Sequence, residues 1–272
     1  MPYSDFSAYN DYSKMPMPGK NGANNTWFGI IIKGITGLSW HGDLLLVNKS
    51  NSNLIQGHLK TNPDYNLRLD EIVFNHLSAS PTFSKNDRDT IIALLRMVDL
   101  INSTNLWRMK GQWRQALLNI ADYIVTPSNG FWAKLLDGPK KNALVDDLTT
   151  AALGKKGINE GVEASSFASK VCRHLDWLFN KSDDRYYLND SVVRQVLPYY
   201  LNYYEVKIDI NKFRYKWRGQ YYYHLDYSRG FRYGDLYNCL EALKKAADPS
   251  NRLTKTEFDQ LMWYCYRNEN IQ

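Results

Sequence analysis

The sequence predicts a mainly α fold with a small β element. Its 272 residues, 44% of them hydrophobic and 23% charged, are enough to enclose a buried core. Beyond about residue 64 the apolar residues recur at helical spacing, whereas strand-like runs are short and few. No stretch approaches the roughly 20 apolar residues that span a bilayer. We therefore expect a globular cytoplasmic protein that has no membrane partner.

Three segments differ in composition. Residues 1–26 are rich in Ser, Asn, Pro, Gly and Tyr without a period, which predicts an irregular N-terminal arm. Residues 27–62 form a small β-containing segment, in which WFGIIIKGITG and DLLLV, separated by SWHG, predict the two strands of a hairpin. Residues 63–272 are predicted to form the helical body.

The helical body is predicted from five apolar stripes with the i, i+3, i+4 and i+7 spacing of an amphipathic helix. These stripes are Ile91, Leu94, Leu95 and Val98; Trp113, Leu117, Ile120 and Ile124; Val192, Val193, Val196, Leu197 and Tyr200; Leu236, Leu240 and Leu243; and Phe258, Leu261, Met262 and Cys265.

Helix boundaries have their own signals. Thr254 with Glu257 three residues later predicts a capping box, and Ser84 is the predicted N-cap of the helix that carries Ile91. Pro127 and the AspGlyPro sequence at 137–139 are predicted to interrupt helices.

The composition argues against a metal site and a disulfide framework. The three cysteines, Cys172, Cys239 and Cys265, are far apart and are predicted to be small buried hydrophobic residues. The five histidines contain no HxxxH or HxH pair. We expect the chemistry to use ordinary side chains without a cofactor.

The net charge of +6 and the pI near 9.0 fit a polyanionic partner, and the positive charge is local. Seven Lys or Arg lie between Lys207 and Arg232, against two acids. Within this region Arg214, Lys216 and Arg218 alternate with aromatic residues, which predicts a strand or extended loop with one cationic and one aromatic face. Such a segment suits phosphate contact and stacking, and an amphipathic hairpin packed on the core is an equal alternative.

The most informative stretch runs from residue 143 to residue 203. It predicts a helix at 143–153, a glycine-bearing turn at 154–161, a second helix at 165–179 and a third that begins after Asp190. In the second helix, Lys170 falls about 95° from the centre of the stripe formed by Phe167, Val171, Leu175 and Leu178.

Lys170 and Asp190 each have a structural and a chemical interpretation. A lysine at the edge of an apolar stripe either aims its amine into a cleft or lays its stem on apolar surface and reaches water. An aspartate before a helix is usually an N-cap. Neither residue points to a function by itself.

Together these residues resemble the helix-hairpin-helix DNA glycosylases, in particular the lysine-bearing branch that includes the 8-oxoguanine glycosylases. The resemblance rests on SerSerPheAlaSerLys at 165–170 and AsnAspSerValValArg at 189–194, where Lys170, Asp190, Val193 and Arg194 match. It covers about 60 residues. A longer GlyLysLysGlyIleAsnGluGlyValGluAla segment replaces the compact hairpin of the family, and LeuAsn replaces the Pro-Val before the aspartate. The four-cysteine iron–sulfur loop of one branch is missing.

The resemblance implies a two-lobed helical fold, with the helix-hairpin-helix at about 143–179, and a monomer bound to double-stranded DNA that contains a modified base. Lys170 would attack C1′ and permit strand cleavage as an abasic-site lyase, and the Asp190 carboxylate would stabilise the cationic sugar. DNA contacts would come from Lys155, Lys156, Gly157, Gly161, Ser169 and Arg194, and from Arg214, Lys216 and Arg218.

Two substrates remain open, and so does a second class of function. The branch favours an oxidised purine such as 8-oxoguanine. The Tyr, Trp and Arg residues at 199–233 favour a glucosylated hydroxymethylcytosine of phage DNA, which would make the protein an antiviral factor. The alternative is a non-catalytic helix-hairpin-helix module, in which Lys170 touches phosphate and Asp190 only caps a helix.

Overall fold

The computed structural model confirms a mainly α protein with small β elements. It describes residues 32–33, 35–42, 44–61, 84–102, 113–138, 143–153, 161–182, 184–208, 214–217, 220–223 and 232–269. The helices of these residues are α1 (Lys49–Thr61), α2 (Arg88–Asn102), α3 (Trp113–Val125), α4 (Phe131–Asp137), α5 (Leu144–Leu153), α6 (Gly161–Asn180), α7 (Ser191–Tyr203), α8 (Tyr233–Ala247) and α9 (Lys255–Arg267). The strands are β1 (Ile32–Lys33), β2 (Trp40–His41), β3 (Leu44–Leu45), β4 (Arg214–Trp217), β5 (Gln220–Tyr223) and β6 (Asn268–Glu269). No helix within the described ranges is long and apolar enough to cross a membrane.

The chain divides into two compact units. Unit 1 comprises Met1–Asn62, Asp190–His224 and Asn238–Gln272, and unit 2 comprises Pro63–Asn189 and Leu225–Tyr237. The helical body predicted at 63–272 is therefore shared between two units, and residues 27–62 group with segments that follow much later in the chain.

Unit 2 is built around α6. This helix packs against α2, α4 and α5, while α3 packs against α2, α4 and α5. The predicted stripe of α6 is buried, with Phe167 and Val171 at 0% exposure, and the α2 stripe from Ile91 to Val98 is equally buried. The periodicity of these sequences therefore predicted the core of the unit correctly.

Unit 1 is organised by α9, which packs against α1, α7 and β3. Polar groups connect these elements inside the core. The Tyr200 hydroxyl of α7 donates a hydrogen bond to the Leu45 carbonyl at 2.7 Å, and the Leu45 N–H donates to Cys265 Sγ of α9 at 3.4 Å. Both backbone groups of Leu45 in β3 therefore bond to side chains of helices, one in α7 and one in α9.

The β element differs from the predicted hairpin, which was wrong in its pairing. β1 pairs in parallel with β6, and β2 pairs with β3 as an antiparallel ribbon. Gly42, at φ 56°, follows β2 directly, and β2 itself lies inside the segment predicted as the loop. Residues of the predicted loop thus form the partner of β3, and Ile32–Lys33 of the preceding run pair with β6 instead.

The helix boundaries follow their chemical signals with one exception. Pro127–Asn129 form a 3-10 turn after α3, Gly130 adopts φ 61° before α4, and Gly138 is the C-cap that follows α4. The prediction of Ser84 as the N-cap of α2 was wrong. Asp87, directly before the helix, accepts a hydrogen bond from the Thr90 N–H at 2.7 Å, and this leaves Ser84 one turn too early.

The predicted capping box of α9 is confirmed. The Thr254 N–H donates to Glu257 Oε2 at 3.0 Å, and the Glu257 N–H donates to Thr254 Oγ1 at 3.2 Å. Lys49 of α1 also forms an ion pair with Glu257. One carboxylate therefore caps α9 and joins it to α1.

Thr254→Ala should lower the free energy of unfolding by about 1 kcal/mol, because an N–H of the first turn loses its acceptor. Urea denaturation of the purified protein measures this loss. Thr254→Ser is the matched control, since it keeps the hydroxyl and removes only a methyl group. Equal losses in the two variants would contradict the capping role.

Candidate functional site

Lys170 lies in α6 and is buried, with 5% of its surface exposed. The apolar stripe beside it, which includes Leu175 and Leu178, is buried as predicted. A side chain with so little exposure does not reach freely into solvent, so the interpretation of Lys170 as a surface lysine does not fit. A buried amine requires polar surroundings, because burial penalises the charged form.

The same face of α6 carries two further nitrogen-bearing side chains. Arg173 is 8% exposed and His174 is 9% exposed, and they lie three and four residues after Lys170. At this spacing both lie within about 60° of Lys170 around the helix. Their spacing from Lys170 is visible in the sequence, but basic residues are usually exposed, and neither was singled out.

These side chains interact electrostatically. The pKa of His174 is lowered from 6.5 to about 3, chiefly by burial and then by the positive charges of Arg173 and Lys170. The imidazole is therefore neutral at pH 7. The three groups form a cluster, Lys170, Arg173 and His174, which we call the α6 basic face.

The opposite side of α6 has a different electrostatic character. Cys172 lies about 160° around the helix from Lys170, and its pKa is raised well above the usual value by burial and by Asp176, Asp146 and Asp147. Asp176 is 1% exposed and forms an ion pair with Arg185. Burial nevertheless raises the pKa of Asp176. The helix thus separates a basic face from an acidic side.

A buried polar network holds the segment before Asp190 against the first half of α6. The Asn189 N–H donates to Ser169 Oγ at 2.9 Å, and Asn189 Nδ2 donates to Ser165 Oγ at 2.9 Å. The Ser169 hydroxyl in turn donates to the Ser166 carbonyl at 2.9 Å. The hydroxyl of Ser169, predicted as a DNA contact, is therefore engaged within unit 2.

Asp190 directly precedes α7, which spans Ser191–Tyr203 as the sequence predicted. Its side chain is half-buried. Arg194 lies in α7, although its side chain falls outside what the structure describes, and Gly161 is the first residue of α6. The predicted contacts Lys155, Lys156, Gly157 and Arg218 lie outside the described residues.

The segment for which the sequence left a strand, an extended loop or a hairpin open contains the antiparallel ribbon of β4 and β5. Arg214 is paired with Tyr223, and Lys216 is paired with Tyr221. Directly paired residues share a face of the ribbon, so the register places these four residues on one face. The alternate positions, Tyr215 with Tyr222 and Trp217 with Gln220, belong to the other face.

Several tyrosines close in sequence to Asp190 or within residues 199–233 contribute to the core. The Tyr186 hydroxyl donates to the Leu135 carbonyl at 3.0 Å, and the Tyr233 hydroxyl donates to the Tyr187 carbonyl at 2.6 Å. Tyr200 is bonded to Leu45 in the same way. These hydroxyls bind backbone carbonyls, which weakens the argument for a pocket that recognises a sugar substituent.

The three cysteines are buried, as predicted, and none of them is in a disulfide. Among the residues that the structure describes, no group of three or more His, Cys, Asp or Glu side chains is placed to hold a metal ion.

No protein-family model matches the chain, and no characterised protein or solved structure does either.

His174 should make the protein sensitive to acid. Its pKa is lowered in the folded state, so the unfolded chain takes up a proton first as the pH falls below 6.5. The free energy of unfolding therefore decreases continuously from about pH 6.5 toward pH 3. His174→Gln should reduce the decline of the unfolding free energy by up to about 1.4 kcal/mol per pH unit in that range.

Urea denaturation of wild type and His174→Gln at intervals from pH 4 to pH 8 measures this difference. Above pH 7 the two curves should run parallel, because the imidazole is then neutral in the folded and the unfolded state. Parallel curves throughout the acidic range would contradict the assignment of a buried neutral imidazole.

Proposed function

We propose that the protein is a DNA glycosylase that takes a modified base out of the duplex and cleaves its N-glycosidic bond, with Lys170 as nucleophile and Asp190 as the stabilising carboxylate. The proposal starts from the resemblance of residues 165–170 and 189–194 to the lysine-bearing helix-hairpin-helix glycosylases. It is supported by the surroundings that the structure gives to Lys170.

The burial of Lys170 carries the proposal. A lysine that is withdrawn from water and placed near another cation gives up its proton more readily than an exposed one. Lys170 is 5% exposed and lies one helical turn from Arg173. An amine in these surroundings is suited to nucleophilic attack, whereas a lysine that only touches phosphate needs its charge and its contact with solvent.

The proposed reaction begins with charge development on the deoxyribose. As the glycosidic bond breaks, its electron pair leaves with the base, and the Asp190 carboxylate stabilises the positive charge at C1′. The neutral amine of Lys170 forms a bond to C1′ and loses one proton to water or to a carboxylate. The C1′–O4′ bond then breaks, O4′ takes up a proton as the sugar ring opens, and a protonated Schiff base results. Loss of a C2′ proton then permits β-elimination of the 3′ phosphate and cuts the strand.

The Ser165, Ser169 and Asn189 network supports the role of Asp190 by fixing the residue that precedes it. Asn189 is held by two hydrogen bonds, one from its backbone and one from its side chain, and is completely buried. Catalytic groups must be held within a fraction of an ångström, and an anchored neighbour restricts the backbone from which the Asp190 carboxylate projects.

The β4–β5 ribbon is the proposed DNA-backbone contact. Its register gathers Arg214 and Lys216 on one face together with Tyr221 and Tyr223. Two cations on one face can meet successive phosphates, and tyrosines are suited to sugars and bases. The substrate proposed first is an oxidised purine such as 8-oxoguanine, and glucosylated hydroxymethylcytosine is the second substrate to assay.

Substitution of the catalytic pair tests the proposal. On duplexes that contain 8-oxoguanine or glucosylated hydroxymethylcytosine, wild type should release the base and form a covalent adduct that borohydride traps. Lys170→Met should trap none. Asp190→Asn should bind DNA normally but release base about 100-fold more slowly, because Asn caps a helix about as well as Asp and lacks the charge.

Two outcomes count against the proposal. Trapping of Lys170→Met at the wild-type yield would remove Lys170 as nucleophile. If wild type binds DNA but releases no base from any duplex, the non-catalytic DNA-binding module is favoured. Circular dichroism and thermal unfolding of each variant serve as the folding control.

The ribbon is tested by the salt dependence of DNA binding. The double variant Arg214→Gln, Lys216→Gln should reduce the slope of log K against log salt by about 1.8, because each lost phosphate contact contributes about 0.9. Lys245→Gln with Arg252→Gln is the matched control, since these two exposed residues of unit 1 remove the same charge elsewhere. An equal change of slope in both double variants would contradict a local contact.

A further inference from the structure

Two arginines lie over the ring of Trp113 in unit 2. The guanidinium carbon of Arg96, from α2, is 4.6 Å from the ring centroid, and that of Arg114, from α3, is 5.2 Å from it. At these distances the ring attracts both cations and helps to hold the guanidinium groups in place. We call Arg96, Trp113 and Arg114 the Trp113 cluster. The proposed function assigns it no role.

The charge that the Trp113 cluster presents to solvent is positive. Arg114 is exposed, and within the described part of the chain no acid forms an ion pair with it. The Arg96 side chain is 41% exposed, whereas that of Asp99, which lies 3.7 Å from it, is 10% exposed. One carboxylate balances at most one of two guanidinium groups, and these groups keep their protons at every pH at which a protein is folded. A net positive charge therefore remains at the surface.

The surrounding sequence adds no negative charge to this surface. Between residues 100 and 121 there are three basic residues and no Asp or Glu. The next acid along α3 is Asp122, which is held by Arg88 of α2 through a hydrogen bond of 3.3 Å from Nη2 to Oδ2. Because Arg88 lies at the start of α2 and Arg96 nearer its end, the charges are balanced at one end of the α2–α3 pair and positive at the other.

Arg114 lies in the first turn of α3, which contains no acid. The dipole of a helix favours anions at this end and disfavours cations, so the folding of α3 gains little electrostatic stabilisation from a cation here. A bound anion would meet the positive end of the helix and the Arg114 guanidinium together. The position of this arginine therefore favours a role in binding an anion.

We propose that the Trp113 cluster is a second DNA-backbone contact, in which the guanidinium groups of Arg96 and Arg114 bind phosphates of one strand. Since both distances start at one ring centroid, the two guanidinium carbons are at most about 10 Å apart, which is about three steps of 3.4 Å along one DNA strand. The planar guanidinium suits this contact because it binds a phosphate through two hydrogen bonds. The inference rests on the proposed function for its partner, duplex DNA, and does not depend on base release.

An anionic membrane is the other partner that basic residues beside a tryptophan can indicate. A basic helix that binds a membrane needs exposed apolar side chains that enter the lipid. The apolar face of α3 is buried instead, with Leu117 and Ile120 at 3% and 0% exposure, and Trp113 is half-buried. The exposed large hydrophobic side chains of the described residues are Leu136 and Tyr203, and neither belongs to α2 or α3. These observations favour a nucleic-acid backbone.

The salt dependence of binding to an unmodified DNA duplex tests the contact. Arg96→Gln with Arg114→Gln should reduce the slope of log K against log salt by about 1.8, because each lost phosphate contact contributes about 0.9. Arg114→Gln alone should reduce the slope by about 0.9. Arg96→Lys with Arg114→Lys keeps both charges and should leave the slope near the wild-type value.

Lys85→Gln with Arg88→Gln is the matched control. It removes two positive charges of unit 2 at the other end of α2, and Lys85 also lies over an aromatic ring, 5.6 Å from the centroid of Trp132. Thermal unfolding of each variant serves as the folding control. If loss of Arg96 beside Asp99 destabilises the double variant, Arg114→Gln alone decides the test, because this exposed side chain has no ion pair to lose.

The outcomes separate this inference from the proposed function. An unchanged slope in Arg114→Gln, or an equal fall in the control pair, overturns the contact even if wild type releases base. Loss of binding to phosphatidylglycerol vesicles in the double Gln variant, with the DNA slope unchanged, identifies a membrane surface and also overturns it. A slope that falls only in the Gln variants of the Trp113 cluster supports the contact. If in that case wild type releases no base from any duplex, the glycosylase proposal fails and the contact stands.

Discussion

The burial of polar and charged side chains on α6 is the constraint around which unit 2 is arranged. This helix supplies the apolar stripe for the core and also withdraws Lys170, Arg173, Asp176 and two serines from water. Each of these groups needs a specific neighbour, because an unsatisfied polar group inside a protein costs several times more than a hydrogen bond contributes. The helices α2, α4 and α5, which pack against α6, must therefore provide polar partners as well as fill the core.

Much of the helical framework could be predicted from sequence because its signals are local. The stripe of α2, the break at Pro127 and the Thr254 capping box all depend on residues within a few positions of one another. The start of α7 after Asp190 was predicted for the same reason. The pairing of β1 with β6 was not, because two-residue strands have almost no pattern and the partners are more than 230 residues apart.

The residues of the candidate site were harder to predict because one residue type serves in two environments. The tyrosines at 199–233 favoured a pocket for a sugar substituent, yet the Tyr200 and Tyr233 hydroxyls donate to backbone carbonyls. Arg173 and His174 were not singled out in the sequence, and both are buried. The residue type tells only how often such a side chain is exposed. Whether Arg173 and His174 are buried beside Lys170 depends on which helices cover that face of α6.

Unit 1 has a consequence for how the protein is made. Its core joins β3 and α1 to α7 and α9. The residues that Leu44 and Leu45 pack against are synthesised some 150 to 220 residues later. Helices α2 to α6, which are nearly contiguous, can associate earlier during synthesis. The apolar β2–β3 segment is thus exposed throughout most of translation, and chaperone capture or aggregation at this early segment competes with completion of the fold.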